Sequence, residues 1–199
     1  MDEKRVGEVK EIIKESINSK IEFLDSSCDI LDACDLIVSS FKSGGKLLIC
    51  GNGGSAADSQ HIAGELVDKF LMDRKGLPAI SLTCDTSVLT AWGNDKSFDE
   101  VFSRQVEALG KNGDVLIAIT TSGTSKNVVL ACEKAKEIGM KIVSLTGNSG
   151  GILKEMSDVN INSSSNHTPR IQECHMTAYH IICEIVEKEM FGSNEDKVE

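Results

Sequence analysis

The sequence has little aromatic surface, almost no proline and no concentration of positive charge. Aromatic residues make up 4% of its 199 positions, with one Trp and one Tyr, and the two prolines are Pro78 and Pro169. Without a Pro-, Gly- or Ser-rich tract there is no candidate linker, no low-complexity segment and no second domain, and we see no internal repeat. Basic residues number 21 against 31 acidic ones, a net charge of -10. That balance excludes broad binding to nucleic acid or to an anionic membrane. No apolar run is long enough to span a bilayer, and Met1 to Lys20 is charged throughout, unlike a signal peptide. A cytoplasmic protein is expected. Seven cysteines (Cys28, Cys34, Cys50, Cys84, Cys132, Cys174, Cys183) occur without a C-x-x-C spacing. Several sit in apolar contexts, and they read as buried reduced thiols rather than a metal or redox centre.

What remains is ordinary globular composition, 40% hydrophobic and 26% charged, with enough chain for one domain and its core. Two helices are predicted over 6–42. Val9, Ile12, Ile13, Ile17 and Ile21 form one apolar stripe, and Ile30, Leu31, Cys34, Ile37, Val38 and Phe41 another. Gly44-Gly45 ends the second helix. From Lys46 the pattern alternates. Strands are predicted at 46–50, 79–82, 114–119, 141–145 and 158–162, short and apolar as strands buried on both faces should be. Helices are predicted at 56–70, 98–109, 126–138, 150–156 and about 170–191, with a short one near 86–92. This predicts an α/β fold, a five-stranded parallel sheet in a flavodoxin-like three-layer αβα sandwich. The N-terminal helices (1–44) extend the domain proper (45–191), and a polar tail (192–199) is expected to be disordered.

Two loops carry candidate chemistry. Gly51-Asn52-Gly53-Gly54-Ser55 follows the first strand and opens a helix, which suits an anion or a polyol. It does not match G-x-G-x-x-G, and no acidic strand end follows at the expected distance, so a dinucleotide is not expected. Thr120-Thr121-Ser122-Gly123-Thr124-Ser125 precedes the helix at 126. An ordinary N-cap needs one hydroxyl. This loop offers five at a helix N-terminus, where a phosphate can be held without any basic residue. His61 and Glu65 stand at i, i+4 on one helix face, two potential metal ligands or an acid and a base. His180 lies among apolar residues of the last helix, which alone would make it a buried hydrogen-bonded histidine. His167 and His175 read as loop and surface residues.

The segments CGNGGSAADSQHIAGEL (50–66), GND (93–95), TTSGTSKNV (120–128), SLTGNSGG (144–151) and RIQECH (170–175), with His180, resemble the SIS (sugar isomerase) domain. They resemble in particular its phosphoheptose isomerase family, over nearly the whole chain and in the right order. The resemblance implies conversion of sedoheptulose 7-phosphate to D-glycero-D-manno-heptose 7-phosphate, the first step toward nucleotide-activated heptose. It implies a homotetramer with shared sites, and one zinc per subunit on His61, Glu65, Gln172 and His180. Within that reading Glu65 is the general base and His180 the partner acid/base. Asn52, Gly53, Gly54, Ser55, Asp95 and Gln172 hold the sugar, and Thr120, Thr121, Ser122, Thr124 and Ser125 hold the phosphate. The family often has Arg where this chain has Lys69, and Ser or Asn at Thr120 and Thr124; these swaps bear on single contacts more than on the reaction.

Gln172 and His180 are eight residues apart, about 12 Å along a straight helix. Metal bonds of about 2 Å hardly bridge that. Either the site is shared between subunits or the helix begins only after Gln172. The rival readings are a non-catalytic SIS-domain partner protein of the replication-initiator-binding type, and an isomerase or sensor of another sugar phosphate. The first need not keep the metal quartet, which this chain has in full.

Overall fold

The structure is a computed structural model that describes residues 2–192. The predicted tail at 192–199 lies outside the described residues, Gly192 excepted. Helix α1 (Glu3–Glu22) starts on an Asp2 cap, whose carboxylate accepts from the Lys4 and Arg5 N–H groups. A 3₁₀ turn (Phe23–Ser26) joins it to α2 (Ser27–Lys42), which Gly44 terminates with a φ of 80°. Then follow β1 (Leu47–Gly51), α3 (Gly54–Val67), β2 (Ala79–Ser81), α4 (Thr86–Asp95), α5 (Val101–Leu109), β3 (Val115–Ile119), α6 (Lys126–Ile138), β4 (Lys141–Gly147), α7 (Leu153–Met156), β5 (Val159–Ser163) and α8 (Thr168–Phe191).

All five strands pair in parallel, in the order β2-β1-β3-β4-β5. This is the predicted flavodoxin-like order. Alternate residues of each strand serve opposite faces. Leu47, Ile49, Ile117 and Ile119 pack with α2, α3 and α8. Leu48, Cys50, Leu116 and Ala118 pack with α5, α6 and α7. The strand order reverses direction at β1 and β3, and the loops leaving these two strands flank the crevice where open α/β sheets bind ligands.

Three expectations need correction. Helix α8 begins at Thr168, before Gln172, so a late helix start does not explain the Gln172–His180 spacing. His175 is fully buried, not a surface residue. It falls on the stripe of Ile171, Cys174, Ala178, Tyr179 and Ile182, and α8 packs against helices and the sheet alike. Burial holds its imidazole down to about 4, although its Nε2 pairs with the Thr146 carbonyl at 2.9 Å. Cys28 and Cys84 are exposed, while the other five thiols are buried and free. The apolar stripe of α1 is not covered: Val9, Ile12, Ile13, Ile17 and Ile21 are 52–58% exposed, and no α1 residue is buried. Among the described residues no helix is long and apolar enough to cross a membrane.

Candidate active site

The glycine loop is shaped by two separate demands. Gly53 adopts φ 56°, ψ -120°, a region closed to residues with a Cβ. At Gly54 a Cβ would collide with the Gln172 side-chain amide, so α8 can lay Gln172 against the start of α3 only over a glycine. Asn52 is locked by a reciprocal amide pair with Asn127 of α6, at 2.8 and 2.9 Å.

The hydroxyl loop closes the other side of the crevice. Thr120 Oγ1 lies 2.8 Å from Ser125 Oγ and 3.3 Å from Ser122 Oγ, and Thr124 donates to Ser122 Oγ from its N–H and from its hydroxyl. Ser125 occupies the N-cap position of α6, yet its side chain makes no capping bond. The plain capping explanation therefore fails for the residue best placed to satisfy it. The cavity between the loops holds about 190 Å³ and is lined by Asn52, Ser55, Ile119, Thr120, Thr121, Ser125, Thr168 and Gln172. Thr168 lies outside every quoted segment, and Asn127, though within 120–128, has no role in the sequence reading because its partner Asn52 is 75 residues away in sequence. Asp95, the last residue of α4, does not line this cavity, and its carboxylate accepts from Asn94. Gly53, Gly54, Ser122 and Thr124 stand beside it in the two loops without lining it.

Two helical turns along α8 is a second cluster. His61, Glu65 and His180 offer ligand atoms that all lie within 4.8 Å of one another. His61 Nε2 is 2.9 Å from Glu65 Oε1, the i, i+4 pair expected on α3. The rings of His61 and His180 meet edge to face at 5.1 Å, and Phe70 stacks on His180 at 5.8 Å. Burial, then the neighbouring His61, holds the His180 imidazole below its ordinary value. Two imidazoles and one carboxylate are the donor set of a three-ligand zinc site with an open position. Gln172 of the same chain is not in this cluster; its amide packs over Gly54, about 12 Å earlier along the helix axis.

Behind the cluster the 68–74 loop is pinned by a buried charge pair. The Glu187 carboxylate accepts from the N–H groups of Phe70 (2.9 Å), Leu71 (2.7 Å) and Met72 (2.6 Å), and from Arg74 Nε (2.7 Å). Burial pushes its carboxyl up, but these four donors hold it below the usual range. Arg74 also donates to the carbonyls of Leu66 (2.7 Å) and Glu65 (2.9 Å) at the end of α3. This is why α3 stops at Val67 rather than at the predicted residue 70.

A family profile described as SIS domain matches residues 13–147. A phosphoheptose isomerase of Clostridium acetobutylicum is 52% identical over 188 residues, 93% of this chain and 96% of that protein. Another, from Helicobacter pylori, is 50% identical over 93% of each chain. Among solved structures, the phosphoheptose isomerase of Neisseria gonorrhoeae superposes with a TM-score of 0.86 at 43% identity, over 90% of this chain and 98% of that one. That of Francisella tularensis gives 0.89 at 39% identity, over 92% and 98%. The chain belongs to the SIS-domain family and, within it, to the phosphoheptose isomerases.

Proposed function

We propose that the protein interconverts D-sedoheptulose 7-phosphate and D-glycero-D-manno-heptose 7-phosphate, with the carbonyl moving from C2 to C1. The observation that carries the mechanism is one carboxylate, Glu65, set within 4.8 Å of two imidazoles on the same two helices, α3 and α8, that carry Ser55, Thr168 and Gln172 of the hydroxyl-lined cavity. Glu65 takes the proton from C1 of the ketose, and the C2 oxygen gains a proton to give the enediol. The O1 hydroxyl then loses its proton, and Glu65 returns one to C2, giving the aldose with no net change in atoms or electrons. His180, held below its ordinary pKa, suits proton movement between the two oxygens. The Thr120–Ser125 loop and the α6 N-terminus hold the phosphate, and Asn52, Ser55 and Gln172 hold hydroxyls.

His61, Glu65 and His180 would hold a zinc ion, with Gln172 as the fourth ligand from a second subunit. Bound there, the ion would polarise the carbonyl and stabilise negative charge on the enediolate oxygens. A homotetramer with shared sites is supported by the bare apolar face of α1. The cytoplasm, which keeps seven unbridged thiols reduced, is the compartment that fits.

The test is turnover of sedoheptulose 7-phosphate by the purified protein, with and without chelator, beside Glu65→Gln. Activity lost in both controls supports the proposal. A zinc-loaded wild type that leaves this substrate untouched overturns it.

A further inference from the structure

The glycine loop and the hydroxyl loop leave neighbouring strands, β1 and β3, where the sheet reverses direction. Past the ends of those strands, among the described residues, one hydrogen-bonded tie joins the two loops. It is the reciprocal amide pair of Asn52 and Asn127, at 2.8 and 2.9 Å. The partners differ in their access to a ligand. Asn52 lines the cavity, whereas Asn127, in the first turn of α6, does not, and is 5% exposed. Packing does not account for an amide at 127, because an apolar side chain of similar volume would fill the place and need no partner. Among the described residues the Asn127 amide bonds to Asn52 and to nothing else.

A primary amide carries two N–H donors and an oxygen with two lone pairs. The pair uses one donor and one lone pair of each residue. Asn52 therefore keeps one N–H and one lone pair for a ligand in the cavity it borders. Turning both amides over together would satisfy the pair equally well, so Asn127 does not choose which atom of Asn52 meets that ligand. What it fixes is where the Asn52 amide stands. Asn127 is carried by the helix that the hydroxyl loop leads into, so the pair registers Asn52 against the hydroxyl loop as well as against its own strand. We propose that Asn127 is a positioning residue that acts through Asn52, setting how far the amide that holds a sugar hydroxyl stands from the loop that holds the phosphate. This rests on the isomerase reading above, which gives Asn52 and the loop those two tasks. A misplacement of about 1 Å at such a point can cost about 100-fold in rate.

A double-mutant cycle on the full chain, zinc-loaded, tests it. Asn127→Leu should lower kcat/KM for sedoheptulose 7-phosphate about 10–100-fold. In the Asn52→Ala background the same change should cost less than about twofold, because the residue it acts through is gone. A residue that merely stabilised α6 would give the same loss in both backgrounds. Thermal melting of each variant checks that the fold is intact, and if Asn127→Leu does not fold, Asn127→Ala takes its place in the cycle. An Asn127 variant within about twofold of wild type, or one whose full loss recurs in the Asn52→Ala background, overturns the inference. A wild type that binds sedoheptulose 7-phosphate without converting it defeats the isomerase reading alone; the same cycle, read on Kd by calorimetry, then supports or overturns the inference by the same criterion. A wild type that does not bind this sugar phosphate overturns both.

Discussion

Removing the Glu187 carboxylate charge should be the most damaging single isosteric change in the molecule. Glu187 and Arg74 side chains are 1% and 2% exposed, and four donors converge on the carboxylate. In Glu187→Gln one oxygen becomes an NH2 group facing N–H donors, and the Arg74 charge is left buried without its partner. Breaking a buried pair in this way costs about 3–5 kcal/mol. For a domain of this size, roughly 2–4 °C of melting temperature is lost per kcal/mol, so a fall of about 10 °C is expected. The assay is urea and thermal unfolding at one fixed protein concentration, because assembly would make the midpoint concentration-dependent. Hydrogen exchange supplies the local readout. The amides of Phe70, Leu71 and Met72 should lose protection selectively, since they donate to Glu187 and not to a helix or sheet. The double variant Glu187→Gln, Arg74→Met should cost less than the sum of the single changes, with a coupling of about 0.5–3 kcal/mol. A Glu187→Gln loss below about 1 kcal/mol, with those three amides still protected, would refute the claim that this pair holds the loop.

Three further outcomes follow from the same structure. His175 is held down to about 4 by burial, whereas an unfolded histidine titrates near 6.5. Below pH 6.5 the unfolded state takes up a proton that the native state refuses, so stability falls between pH 6.5 and 4, by up to about 3 kcal/mol at 1.36 kcal/mol per unit; urea midpoints of wild type and His175→Gln should converge as the pH drops. Thr120→Val removes the hydroxyl that links Ser122 and Ser125, and should raise KM for the sugar phosphate about tenfold with a smaller change in kcat, read by steady-state kinetics. Ile13→Asp places a charge in the bare stripe of α1, and should lower the assembled mass in light scattering while the circular dichroism stays that of the wild type.

The sheet was legible because its strands are buried on both faces. Continuous apolar runs such as Leu47–Cys50 and Val115–Ile119 admit few other readings, and observed strands differ from predicted ones by one or two residues. The two loops were legible for a related reason, since glycine and hydroxyl clusters at strand ends have few structural uses. The inner surroundings of the site were not. Tyr179 meets His61 across 118 residues and Arg74 meets Glu187 across 113, and no local pattern announces either contact. His175 is a different failure. The 3.6-residue period put it in the core, and residue type, which favours histidine at the surface, pointed the wrong way.

The uninterrupted course of α8 has a mechanical consequence. It carries Gln172 at the cavity and His180 at the cluster on a single rod. Repacking, loop motion or a change of rotamer cannot alter the rise of a helix; only adding or deleting a residue can, and each one also swings everything beyond it by about 100°. A molecule reaching from cavity to cluster therefore meets a spacing graded in whole residues, a ruler with coarse divisions rather than a spring. Discrimination by chain length needs no closing movement when the measuring stick is the backbone itself.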